Sequence, residues 1–451
     1  MKTVKKICIF FLLAPLILYA DIPKQPTDAQ IYHLLARTTN GITSQDFTYV
    51  KEVGIARYLE EQLYIKSTTE FKPYENHVSW VSPQENRKEY RKLRQQYLLN
   101  AKRDKLSRSL YTKAQFADIM HTFWFNHFNV FAQKGSIPFL IASYEQEAIM
   151  PFALGNFRDL LGAVAKHPAM LIYLDNQKSI KANVKKNKGI NENFARELME
   201  LHTLGVGNYT QNDIKELARI LTGWGVVKNK FAFNKKMHDQ DPKFFLGVAF
   251  GAMGGVEEGE KALDMLAFSK HTANFLAYKL CQYFVSDTPP RELVNEVAET
   301  FYATKGDIKK TLLKIFYSDI FWQEENQQNK YKDPYRYVVS LVRASGIKVT
   351  DHKPIIGLLK QMGMPIYGRL TPDGYPVDSK KYLSPSAIES RLQFATNLGR
   401  NNLDICENRC KINLLDLSFI ELTPKIQKTL ETTPKRLHTA LLLGTPQMMR
   451  Y

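Results

Sequence analysis

Residues 191–205 read NENFARELMELHTLG. At about 100° per residue, Phe194, Ala195, Leu198, Leu201 and His202 share one side of a helix. Glu192, Asn193, Arg196, Glu197 and Glu200 take the other. Asn191 suits an N-cap, and Gly205 the left-handed position that ends a helix. Such a polar side is either a buried functional face or a solvated one. Glu192, Arg196 and Glu200 stand at successive i,i+4 spacings, a ladder worth only tenths of a kcal/mol per pair when exposed. Glu197 and Glu200, at i,i+3, can instead present two carboxylates to a metal.

The same period of three and four runs outward in both directions, and sustained alternation is nearly absent. Helices are expected at 30–35, 47–63, 88–110, 115–131, 143–148 and 157–166, with a break at His167-Pro168. Thr210 with Asp213 forms a capping-box start for a helix through Leu221. Further helices follow at 257–267, 271–284, 291–304, 308–317, 334–344, 355–362 and 434–443. Ser384 before Pro385 marks one more. Loops are expected at 177–190, 228–255 and 363–383, the second as a long loop or short hairpin. The class is mainly α, multi-helical, in two lobes with long irregular loops. A polar run at 323–334 reads as a linker between a main domain, 21–322, and a C-terminal lobe, 335–451.

Residues 1–20 have the layout of a secretory signal: Lys2, Lys5 and Lys6, an apolar run at 7–18, then Tyr19-Ala20. An exported protein is expected, periplasmic where the cell has two membranes. An uncleaved N-terminal anchor is the alternative. No later segment is apolar for long enough to span a bilayer, so the remainder is expected to be soluble.

Formal charge is +17, and removing the three early lysines leaves +14. Ten Lys or Arg fall within 87–113, against Glu89 and Asp104. That stretch either docks an acidic envelope surface or is a solvated helix face. Nucleic acid is not an expected partner of an exported chain. Among the cysteines, Cys281 lies in an apolar helix and reads as a buried thiol. Cys406 and Cys410 form either a small-loop disulfide or two free thiols.

Two further constellations carry chemistry. His127 sits in HTFWFNHFNVF, residues 121–131, where five aromatic rings surround it and Asn126. Burial there disfavours the imidazolium, so it is a general-base or ligand candidate, or a core histidine bonded to a carbonyl. His121, about 240° away on the wheel, cannot join it in a one-helix metal pair. His238 and Asp239 lie in the central loop, as an oriented pair or a solvated turn. A divalent metal would draw ligands from His127, Glu197, Glu200, His238 and Asp239. Arg196, flanked by Glu192 and Asn193, would steer an anionic group. His127, Glu197, Glu200 and His238 are the catalytic candidates. No serine elbow or glycine-rich phosphate loop is present.

The helix at 191–205, continued by YTQNDIKELARILTGW at 209–224, closely resembles the hallmark of the bacterial "domain of unknown function 1800" family. FWFNHF at 123–128, HDQDPKFFLG at 238–247, HTANFLAYKLC at 271–281, PDGYP at 372–376 and HLLAR at 33–37 are similar to its pattern. The resemblance covers roughly residues 27–400 and leaves the late cysteines outside it. It implies an exported protein without an assigned activity. It also implies a neighbour from a second exported family, "domain of unknown function 1501", similar to phosphatases and sulfatases. That makes a phosphatase/sulfatase-like partner an expectation resting on association, with a non-catalytic helical partner or surface-assembly module as the competing function.

Overall fold

The computed structural model describes residues 22–65, 86–181, 189–406 and 422–451. It is mainly α-helical, and the strands form two antiparallel hairpins within the expected 228–255 region and at its edge. In the first hairpin Trp224 of Trp224–Val227 faces Phe233 of Lys230–Phe233; in the second, Lys243–Phe245 pairs with Val248–Phe250. No helix among the described residues is long and apolar enough to cross a membrane. The expected signal, 1–20, lies outside the described residues.

Local chemistry sets most helix ends. Thr210 and Asp213 make the reciprocal capping box, and Ser384 accepts from Ala387 N with Pro385 at the first position. His167 caps Pro168–Tyr173 through its own ring, accepting from Ala169 N. The stretch 47–63 is two helices, Ser44–Val53 and Ile55–Tyr64, because Gly54 between them takes φ +84°. The signature helix is shorter than its pattern suggests, Asn193–Glu200. Leu201 N and His202 N both bond to Glu197 O, the second across five residues, which widens the last turn before Gly205 at φ +78°.

One continuous hydrophobic core runs from Ile31 to Tyr451. The helix Asp28–Thr38 is threaded through it. Its His33 Nε2 bonds to Phe321 O at 3.0 Å, and Arg37 donates to Val285 O and Asn326 O. Tyr32 reaches Gln447 O at 3.4 Å. The expected linker 323–334 is packed into this region: Asn326, Lys330 and Lys332 are buried, and Lys330 pairs with Asp287. A bridge between Tyr331 and Arg450 stitches the same segment to the last residues.

The basic helix Arg87–Tyr111 divides along its length. Arg87, Lys88, Arg91 and Lys92 are exposed, whereas Lys105 and Arg108 are buried. Arg108 pairs with Asp118 at 2.6 Å and Glu145 at 3.0 Å, and Lys105 with Glu145 at 3.0 Å. Asn40 and Ser109 donate to Asp118, and Tyr367 donates to Glu145. Burial alone would raise both carboxyls. The neighbouring cations overcome it, holding Asp118 well below the usual range and Glu145 at about 2.

Candidate functional site

The aromatic helix Gln115–His127 ends in a keystone. Asn126 clamps the 363–383 loop on one side, donating to Tyr375 O at 2.8 Å and accepting from Tyr375 N at 2.7 Å. Asn129 adds bonds to Arg369 O and Thr371 O. Gly374 makes the seat possible: it takes φ +73°, and a Cβ there would stand 2.2 Å from Asn126 O.

His127 faces the other way and is buried. Its Nε2 lies 3.0 Å from His202 O, so the ring donates there. That tautomer leaves Nδ1 as an acceptor, and Lys279 Nζ stands 3.0 Å from it. Lys279 belongs to the helix Lys270–Phe284, on the same edge as Phe275 and Tyr283. Burial pushes its ammonium down to about 8, with Asp373 pulling weakly the other way. His202 is fully buried, and neither ring nitrogen has a hydrogen-bond partner among the described residues. Burial first, then the Lys279 charge, pushes it down to about 3. The same causes, with burial largest, hold His127 well below its ordinary value.

The acidic residues of the signature helix divide. Glu192 and Arg196 make an exposed ladder closed by Gln211, which donates to Glu192 at 2.8 Å and accepts from Arg196 at 3.1 Å. Asn193 is exposed, its Nδ2 donating to Leu174 O. Glu200 accepts from Tyr209 at 2.7 Å. Glu197 is half-buried, and its carboxylate has no hydrogen bond or ion pair among the described residues. Burial and then Glu200 raise its carboxyl, and Asp373 adds to that. Asp373, bound to Arg369, is thus within electrostatic reach of both Glu197 and Lys279.

His238 and Asp239 belong elsewhere. The His238 ring bonds to Thr222 O at 2.8 Å and Glu258 at 3.0 Å, and Lys243 shares Glu258. Asp239 pairs with Arg219 at 2.8 Å. The ring nitrogens of His127 and His238 are therefore committed to different partners. Among the described residues no three His, Cys, Asp or Glu side chains are grouped to hold a metal ion. Cys406 is disulfide-bonded, Cys281 is a buried free thiol, and Cys410 lies outside the described residues.

Beside the keystone a cavity of about 80 Å³ opens, bounded by Asn126, Tyr283, Asp333, Tyr367, Tyr375 and Tyr382. At roughly 10–15 Å³ per water it holds several waters or a small organic group. Burial raises the tyrosine hydroxyls, Tyr283 and Tyr375 to about 12, so they act as neutral donors. Lys279 and the tyrosine wall carry no recognised motif of catalysis, which is why residue-type patterns miss them. The signal was a lysine beside the apolar stripe of the 271–284 segment.

Four segments that carry the family resemblance meet here: FWFNHF through His127, the signature helix through Glu197 and His202, HTANFLAYKLC through Lys279, and PDGYP through Asp373. The chain belongs to the family described as "Protein of unknown function (DUF1800)", whose model matches residues 33–450. Neither a curated protein nor a solved structure matches it.

Proposed function

We propose that this chain is an exported enzyme that moves a proton on a small organic molecule, with Lys279 as the base. The observation that carries this reading is the Lys279 Nζ contact with the neutral His127 ring at 3.0 Å, without an ion pair among the described residues. A lysine of lowered pKa is partly neutral near pH 8 and able to take a proton. Glu197, raised and unpartnered, supplies the opposing acid. The tyrosine-lined cavity, one turn along the helix at Tyr283, holds the rest of the substrate. The test is competitive labelling of lysines across pH, read by mass spectrometry at position 279. Half-maximal reactivity near pH 8, moving lower still in His127→Leu because the buried ammonium loses an acceptor, is expected; an ordinary lysine midpoint in the parent overturns the reading.

Export is supported by the charged, apolar and small-residue order of residues 1–20. A phosphatase/sulfatase-like partner rests on family association alone. The exposed Glu192–Arg196–Gln211 ladder and the exposed basic turn at 87–92 favour a second reading, a module that docks an acidic surface. Its test is co-sedimentation of the full chain with anionic vesicles.

A further inference from the structure

The tyrosine-lined chamber beside Asn126 specifies the kind of molecule it can hold. Tyr335 donates to Ser109 Oγ at 2.9 Å, because Ser109 has given its own proton to Asp118. Tyr367 donates to Glu145 at 3.0 Å, Tyr375 to Pro365 O and Tyr382 to Pro376 O, both at 2.8 Å. These four hydroxyls are committed to the protein, so their rings are what the chamber offers a guest. Tyr283 and Tyr331 differ. Each oxygen accepts from an arginine, Arg336 at 3.1 Å and Arg450 respectively, and neither hydroxyl proton has an acceptor among the described residues.

Asp333 stands on the same wall. One of its oxygens caps the helix at Arg336 N, and it makes no other hydrogen bond or ion pair among the described residues. Its charge acts on Arg336 and Arg391, which leaves no excess of negative charge for a cation to neutralise. Lys105, also on the wall, is paired with Glu145 at 3.0 Å. A guest thus meets aromatic rings, two hydroxyl donors and one carboxylate acceptor.

We propose that the chamber binds one neutral sugar ring, a hexopyranose. Its hydroxyls accept from Tyr283 and Tyr331 and donate to the open oxygen of Asp333, since a hydroxyl does both at once. Its polarised C–H bonds rest on the negative faces of the tyrosine rings. Size agrees: about 80 Å³ at roughly 10–15 Å³ per water is about six waters, or about 180 Å³ of liquid, the bulk of one six-membered ring with its hydroxyls. An organic cation would meet Lys105 and Arg336, and an anion would meet Asp333. An aromatic hydrocarbon would bury that carboxylate oxygen without a partner. The inference rests on the proton-transfer reading only in taking this chamber as the substrate seat; the affinity does not draw on Lys279.

The experiment is isothermal titration of the full chain with D-glucose, D-galactose and D-mannose, against glucosamine, glucuronate and phenol at equal ionic strength. Saturable binding of at least one neutral hexose is expected, with the charged analogues and phenol clearly weaker. Asp333→Asn keeps an oxygen for the helix cap and loses the open acceptor, so a loss of about tenfold in hexose affinity is expected. No hexose binding to the parent, or equal or tighter binding of phenol or a charged analogue, overturns the proposal. Unchanged affinity in a folded Asp333→Asn does the same. The parent alone decides the first arm, so a variant that fails to fold leaves the test intact. Lysine labelling at position 279 is a separate readout. An ordinary midpoint there removes the base and leaves the sugar seat standing, whereas a midpoint near pH 8 without hexose binding removes the sugar and leaves the base.

Discussion

Two polar clusters lie within the helical core, and they handle charge differently. Around Glu145 the charges balance: Arg108 and Lys105 face Asp118 and Glu145, with Asn40, Ser109 and Tyr367 filling remaining bonds. Around Lys279 they do not. One ammonium meets two neutral imidazoles, and both His202 nitrogens go without a hydrogen-bond partner among the described residues. A matched buried network fixes helices against one another, whereas an unmatched one stores free energy at a defined spot. The second kind is where chemistry is to be sought.

Removing one side of the matched network should cost most. Arg108→Met leaves two carboxylates short of partners, and a loss of about 3–5 kcal/mol in denaturant unfolding is expected. A loss below about 1 kcal/mol would show that the network is not structural.

Acid should next expose the unmatched cluster. His202 has its folded pKa pushed from 6.5 to about 3, so the unfolded chain takes up the proton first. Its contribution is whole above pH 6.5 and is lost as pH falls toward 3, at about 1.4 kcal/mol per pH unit. His202→Leu should remove one proton from the pH dependence of unfolding between 6 and 4. Glu145 is shifted in the same direction as the histidines, so its stabilisation is whole above about pH 4.5 and is lost as pH falls from there toward about 2.

Lys279→Met should then stabilise. The folded pKa falls from 10.5 to about 8, so the folded state resists the ammonium below pH 8 and is relieved as pH rises toward 10.5. A gain of about 2 kcal/mol at pH 7, discounted for partial exposure, is expected. It should shrink above pH 8 and vanish near 10.5. A loss at pH 7 would place Lys279 with the structural groups. Glu192→Ala, on the exposed ladder, should change stability by less than about 0.5 kcal/mol.

The fold class was legible because helix period and capping are local. Thr210 with Asp213 and Ser384 with Pro385 mark their helices from a few residues. Gly54 was harder, since the apolar period runs through it and only the backbone reveals the break. The site was half legible. His127 and Glu197 stand out by residue type, and both lie at the keystone. Lys279 and Asp373 do not, because their meaning comes from segments about 150 and 175 residues from the signals that mark the site. His238 and Asp239 looked like partners of that site, but Glu258 and Arg219 take them through contacts that no local pattern encodes.

The threading of the Asp28–Thr38 helix between residues 285–326 and 447–451 bears on how the chain is made. One of the first elements to leave the ribosome has its partners among the last, so it cannot settle until synthesis is nearly finished. Such an order leaves that helix without its partners until the rest of the chain has emerged. Under the export proposed above, that delay would suit a translocase that threads only unfolded polypeptide.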